Sequence, residues 1–327
     1  MRYQNFGNTD LQASVLGLGS APIGSRTGKQ ESIKTLNLAL DLGINFYDTA
    51  PSYGQGSSEE ILGEVFKSRR DQVIITTKVG HAVSSTLQFA AKFKPMVRSV
   101  LQQLPGMRKS VKSFVQSQTK TDNFEPSYII KSVEGSLKRL QSDYIDLLLL
   151  HSPPQEVLER GEVFTQLQSL KQQGKIRHYG VSAGKLAKAI TCLEYPDTGI
   201  SALQVTLNLF EREALEEVIP LAKKQGVAII AREPFAHGKL IPATNSSSSL
   251  SYQGDLAQDD SFAFLTADST RNMTQAALQF SLQSEGVAVV LAGMSQAKHV
   301  RDNVAALSLP ELTPEQMQAI RVAEFQL

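Results

Sequence analysis

Short runs rich in Val, Ile and Leu alternate along the chain with longer stretches in which apolar residues recur at helical spacing. The short runs are VLGLGSA (15–21), GINFYDTA (43–50), VIITTK (73–78), YIDLLLLH (144–151), IRHYGVS (176–182), ALQVTLN (202–208), GVAIIAR (226–232) and VAVVLAG (287–293). Most are nearly continuous in aliphatic residues, as strands covered on both faces are. Helical patterns fall between them, at 29–42, 57–68, 127–141, 155–173, 184–194, 213–225, 270–284 and 296–307. In EPSYIIKSVEGSLKRL, residues Ile129, Val133, Leu137 and Leu140 make one apolar face. Ser127, just after Pro126, is a candidate N-cap for that helix. LDLG, KQQG and KKQG each place a glycine where a helix should stop.

Strand–helix pairs in strict alternation predict a parallel sheet, and eight pairs is the number that closes a (β/α)8 barrel. The expected architecture is α/β: a single TIM barrel spanning 1–327, preceded by a small β-hairpin at 1–14 built around GNTD. An open, doubly wound sheet is the alternative. Against it, GLGSAPIG between the first strand and first helix has its glycines at the wrong spacing for a dinucleotide fingerprint. Two connections, 79–125 after the third strand and 236–269 after the seventh, are too long for ordinary loops. In a barrel both would overhang the catalytic face. Phe89, Phe93, Phe114 and Phe235 would then form either an apolar substrate wall or the first insertion's own core. Lys92, Lys94, Arg98, Arg108 and Lys109 would either attract an anionic substrate or make a solvated face.

Composition narrows the class. A net charge of +1, from 33 basic and 32 acidic residues, predicts no nucleic-acid footprint. The single cysteine, Cys192, rules out a disulfide within the chain, and its apolar surroundings predict a buried, inert thiol. The N-terminus has no apolar signal segment and no run is long enough to span a membrane. The expected setting is soluble and cytoplasmic, with no membrane and no indicated protein partner.

The candidate chemistry sits in GINFYDTAPSYGQGSSEEILG, 43–63, where an apolar strand runs directly into an acid and then a tyrosine. Asp48 ends the second strand, Lys78 the third and His151 the fourth, so a barrel makes them neighbours at the C-terminal rim. Tyr53 follows in the loop after Asp48 and can fold back over the same mouth. A phenol has an ordinary pKa of about 10, and a nearby ammonium favours its ionised form. Lys78 supplies that charge, Asp48 holds Lys78, and His151 offers a hydrogen bond to a substrate oxygen. A tyrosine that gives a proton to an oxygen suits carbonyl reduction when a hydride donor lies opposite. Metal binding fits poorly, because His178, His237 and His299 are scattered and none stands at ligand spacing from His151.

GINFYDTAPSYGQGSSEEILG, the TTK at 76–78, SLKRLQSDYIDLLLLH at 136–151 and GVS at 180–182 resemble the signatures of the aldo-keto reductase superfamily. The likeness runs nearly end to end. It implies a barrel that binds a nicotinamide cofactor and a catalytic tetrad of Asp48, Tyr53, Lys78 and His151. It further implies that Ser182 and Gln204 hold the nicotinamide carboxamide; Ala183 stands where many relatives have Asn. Arg232, ahead of Pro234, falls where relatives often stack an aromatic ring on the nicotinamide, a role a planar guanidinium can fill. The segment GMSQAKHVRDN assigns Gly293, Ser295, His299, Asp302 and Asn303 to the adenosine end. The superfamily's habit makes NADP the expected cofactor; NAD stays possible, because Gly293 and His299 stand where relatives tight for NADP often carry Arg or Lys. Lys298 and Arg301 either flank a 2′-phosphate or make a solvated helix face, and Ser295 could hydrogen-bond that phosphate. The expected substrate is a small carbonyl compound. Oxidative sugar or polyol dehydrogenation and a cofactor-binding regulatory subunit are the other readings.

Overall fold

The computed structural model describes residues 1–81, 122–195, 198–241 and 260–323. Two short strands, β1 (Tyr3–Asn5) and β2 (Gln12–Ser14), pair antiparallel as the expected hairpin. Eight strands then close a parallel barrel: β3 (Leu16–Gly19), β4 (Phe46–Asp48), β5 (Ile74–Val79), β6 (Ile145–His151), β7 (Ile176–Ser182), β8 (Ala202–Thr206), β9 (Ala228–Arg232) and β10 (Val287–Gly293). Neighbours in sequence are neighbours in space, and β10 closes on β3.

Alternation along each strand separates two cores. Phe46, Ile74, Leu147, Leu149, Ala202, Ala228, Ile230, Val289 and Leu291 point inward and fill the barrel. The intervening residues, such as Leu148, Leu150, Val181, Leu203 and Ile229, pack outward against the helices. The hairpin belongs to the inner core: Phe6, Leu11 and Ala13 are buried with it, and the Phe6 ring lies 5.6 Å from that of Phe46. The hairpin therefore seals the end of the barrel where the strands begin. This leaves the opposite end, where they finish, as the open mouth.

Helix boundaries differ from the sequence expectation where backbone geometry overrides apolar spacing. The stretch 155–173 is two helices, Gln155–Arg160 and Glu162–Gln172, broken at Gly161 with φ 72°. The helix expected from 127 begins at Pro126, with Glu125 as N-cap and no side-chain cap from Ser127. Proline at the first helical position has φ already set and lacks the N–H that a cap would satisfy. The segment expected as helix from 213 opens as a 3-10 turn, Glu213–Leu215, before the α-helix Val218–Gln225. A helix at Pro314–Val322, outside the predicted set, is fixed by a capping box between Thr313 and Gln316. Gly43, Gly174 and Gly226 end their helices at positive φ, as expected. Phe89, Phe93, Phe114 and the basic residues between 92 and 109 lie outside the described residues. Among the described residues no helix is long and apolar enough to cross a membrane.

Candidate active site

The inward parity that carries apolar residues through the barrel carries polar ones to its mouth. Two residues beyond Phe46 stands Asp48; four beyond Ile74 stands Lys78; two beyond Leu149 stands His151. Gln204 and Arg232 continue the inward rows two residues beyond Ala202 and Ile230. Ser182 pairs in register with both His151 and Gln204. The strands from β4 to β9 thus carry a polar residue at the mouth end of the inward row, whereas β3 and β10 end in Gly19 and Gly293.

Ser182, Gln204, Asp48, Lys78 and Tyr53 form one chain of hydrogen bonds. Ser182 Oγ donates to Gln204 Oε1 at 2.7 Å, and Gln204 Nε2 donates to Asp48 Oδ2 at 3.0 Å. The other Asp48 oxygen accepts from Lys78 Nζ at 2.6 Å. Lys78 Nζ also reaches Thr49 O at 3.1 Å and Tyr53 Oη at 3.4 Å. Lys78 is 1% exposed and Asp48 4%, so both charges are out of water and each is compensated by the other. Desolvation alone would lower the lysine's pKa. The Asp48 carboxylate and the Tyr53 hydroxyl outweigh it, and the ammonium is held above its ordinary value. The His151 ring stands edge-on to Tyr53, with centroids 6.4 Å apart.

The polar residues of GINFYDTAPSYGQGSSEEILG now have physical reasons. Tyr53 opens a tight turn in which Gly54, Gln55 and Gly56 all take positive φ, and its N–H bonds back to Ala50 O at 3.0 Å. A side chain at Gly54 would meet Gly24 O at 2.8 Å, so only glycine lets the turn approach that loop. Thr49 and Ser20 both bond to Ser58, and Ser20 donates to Asp48 O at 2.6 Å. Those bonds fasten the end of β4 to the helix Ser57–Phe66. Glu59 is fully buried; it takes Arg139 Nε at 2.7 Å and Thr77 Oγ1 at 2.7 Å. It anchors the helix under the site and does not face the mouth.

The adenosine-end candidates gather separately. Gly293 pairs in register with Gly19, and Gly19 with Asp48, so the group lies two strands from the acid. Ser295 Oγ lies 3.2 Å from His299 Nδ1. Burial lowers the pKa of His299, which favours the neutral ring. Asn303 is buried on the helix Ala297–Ala305, while Asp302, Lys298 and Arg301 are exposed. Arg232 bonds Glu233, whose φ is 60°, and Pro234 after it is buried. The Arg232 Nε is buried without a hydrogen-bond partner.

Sequence reasoning passed over His81. It follows β5 by two residues, and its ring centroid lies 4.0 Å from that of His151. A polar residue at the strand end, three positions past Lys78, was the available signal. The other histidines do lie apart: His178 bonds Asp10 and His237 bonds Glu233. Among the described residues no three His, Cys, Asp or Glu side chains gather as a metal would require.

Comparison with known proteins follows the same outline. Residues 15–324 match the sequence profile of the "Aldo/keto reductase family". The chain is 30% identical to an "Uncharacterized oxidoreductase YqkF" of Bacillus subtilis, over 98% of this chain and 96% of that protein. Among solved structures it resembles the "aldo-keto reductase AKR11C1 from Bacillus halodurans (holo form)", with 30% identity, TM-score 0.77 and coverage of 98% and 95%. It also resembles the "glycerol dehydrogenase AKR11B4 from Gluconobacter oxydans", with 26% identity, TM-score 0.74 and coverage of 98% and 94%.

Proposed function

The chain belongs to the aldo/keto reductase family of nicotinamide-dependent oxidoreductases, and we propose that within it the protein reduces an aldehyde or ketone to the alcohol, with Tyr53 as proton donor. The observation that carries this reading is the buried Asp48–Lys78 pair with Lys78 Nζ 3.4 Å from Tyr53 Oη. As a hydride reaches a carbonyl carbon, charge develops on the oxygen. A phenol that gives its proton there becomes negative itself, and the Lys78 ammonium stabilises that charge in a site of low dielectric. Asp48 keeps Lys78 charged and aimed. His151 directs a hydrogen bond to the same oxygen.

The cofactor supplies the hydride. Ser182 and Gln204 are our candidates to hold the nicotinamide carboxamide, with Arg232 stacked on its ring. Gln204 is well placed to serve both halves of the site, because its amide already bonds Asp48. The buried, unpartnered Arg232 Nε fits a group that gains a partner on cofactor binding. At the other end, Gly293, Ser295, His299, Asp302 and Asn303 would take the adenosine. We assign NADP over NAD to the exposed Lys298 and Arg301, which flank that group and suit a 2′-phosphate.

The oxidative direction is the second reading. The same tyrosine accepts a proton from an alcohol when hydride runs to the oxidised cofactor, and the likeness to a glycerol dehydrogenase favours testing it. The protein has no tryptophan and eight tyrosines, so cofactor binding is readable as loss of tyrosine emission with energy transfer to the nicotinamide. Titration with NADPH and NADH should give tight binding, tighter for NADPH. Absence of binding to either by folded protein would end the enzymatic reading. Equal binding of both would end the NADP assignment.

A further inference from the structure

Just beyond the proposed catalytic residues, the chain leaves the barrel at residue 81 and returns at 122, and the two ends are stitched together. His81 and Asp122 form an isolated antiparallel bridge, and Asn123 N donates to Gly80 O at 2.7 Å. Tyr128 Oη donates to His81 O at 3.4 Å. Gly80 has φ 122°, and a side chain there would lie 2.2 Å from the Phe124 ring. That aromatic packs over bare glycine backbone, which brings the returning chain onto the outgoing one.

The stitching fixes an imidazole. His81 Nδ1 donates to Asp122 Oδ1 at 2.6 Å, since an ionised carboxylate only accepts. The same ring meets that of His151, with centroids 4.0 Å apart and planes at 46°. His151 ends β6, paired in register with Ser182 and edge-on to Tyr53. Two rings therefore lie beside it: Tyr53 from the turn after β4 and His81 from the neck.

Resting on the reductase reading above, we propose that His81, held by Asp122, is a positioning residue for His151. It sets the plane in which that ring meets the substrate oxygen, and so ties the neck at 80–81 and 122–124 to the reacting site. The physical reason is steric. An imidazole at a strand end can rotate about two side-chain bonds, and a flat ring 4.0 Å away restricts that rotation.

Two measurements test this, one without turnover. The protein has only five histidines, so their imidazole signals can be assigned by nuclear magnetic resonance. His81→Ala should shift and broaden the His151 ring signals as that ring gains freedom, and His81→Phe, which keeps a flat ring, should narrow them again. His151 signals as sharp in His81→Ala as in the parent overturn the proposal. The second measurement follows NADPH oxidation with 4-nitrobenzaldehyde. His81→Ala should lower kcat by roughly 10- to 100-fold through misplacement of the hydrogen-bonding ring. NADPH affinity should stay within about twofold, and His81→Phe should recover part of the loss, since it keeps the ring but not the bond to Asp122. A structural role alone would lower thermal stability and leave kcat and the His151 signals unchanged, which would overturn the proposal. An inactive parent protein would count against the reductase reading, and the His151 signals would still decide for or against His81.

Discussion

Gln204 donates to Asp48 at 3.0 Å, on the oxygen that Lys78 does not use. The buried carboxylate thus has one oxygen for each partner. Removing the amide leaves an acceptor buried and unpaired, at a cost of about 1–3 kcal/mol. We expect Gln204→Leu to lower kcat/KM by roughly 5- to 150-fold, the same range expressed as a rate. Steady-state kinetics with NADPH as the varied substrate checks this. A variant with parent kinetics would show that Asp48 needs only its lysine.

Glu59 and Arg139 make a second prediction, about stability. Arg139 is the cationic partner of a carboxylate that is 0% exposed, and the pair holds the helix behind the Tyr53 turn. Truncating one member of a buried pair strands the other, typically for about 3–5 kcal/mol. Arg139→Met should lower the urea midpoint of unfolding accordingly. Glu59→Gln with Arg139→Met together should recover part of the loss. A double variant less stable than either single one would contradict this account.

The bottom of the barrel supplies a pH prediction. The hydrogen bond to His178, then that to Arg177, holds Asp10 at about 2 against an ordinary 3.8. A depressed carboxylate stabilises the fold above its unfolded value, and the effect is lost as pH falls from about 3.8 toward 2. Asp10 is mostly exposed, so the contribution should be below about 1 kcal/mol. Asp10→Asn should be slightly less stable than the parent at neutral pH, with the gap closing below about pH 3. A gap that persists in acid would locate the effect elsewhere.

Burial pushes the Cys192 thiol up to about 12, against an ordinary 9.0. The thiolate is the reactive form, so the native protein should resist a thiol-specific disulfide reagent at pH 8. Labelling should then report opening of the helix Leu186–Glu194 and quicken steeply in denaturant. Immediate stoichiometric labelling would show that this helix is not packed as described.

Most of the architecture was legible because the barrel repeats one simple pattern. Leu147 to Leu150 are covered on both faces, and a continuous apolar run with a polar end states that plainly. The same pattern located Asp48, Lys78 and His151, since a polar residue at the last inward position has only the mouth to face. Elements governed by single backbone positions were less legible. Gly161 breaks a helix whose apolar spacing continues across it. Thr313 and Gln316 start a helix with few buried residues, so its cap is a stronger signal than its periodicity. His81 was hidden for a different reason. Its partner Asp122 is 41 residues away, and its contact with His151 exists only once β5 and β6 lie side by side.

The central claim is that Tyr53 donates the proton under the control of Lys78. The most direct test compares the parent and Tyr53→Phe for NADPH affinity and for NADPH oxidation with a panel of aldehydes and ketones. The account predicts affinities within about twofold and a loss of turnover of roughly 10²–10⁴-fold in the variant. A Tyr53→Phe protein that reduces the same carbonyl at the parent rate would contradict it.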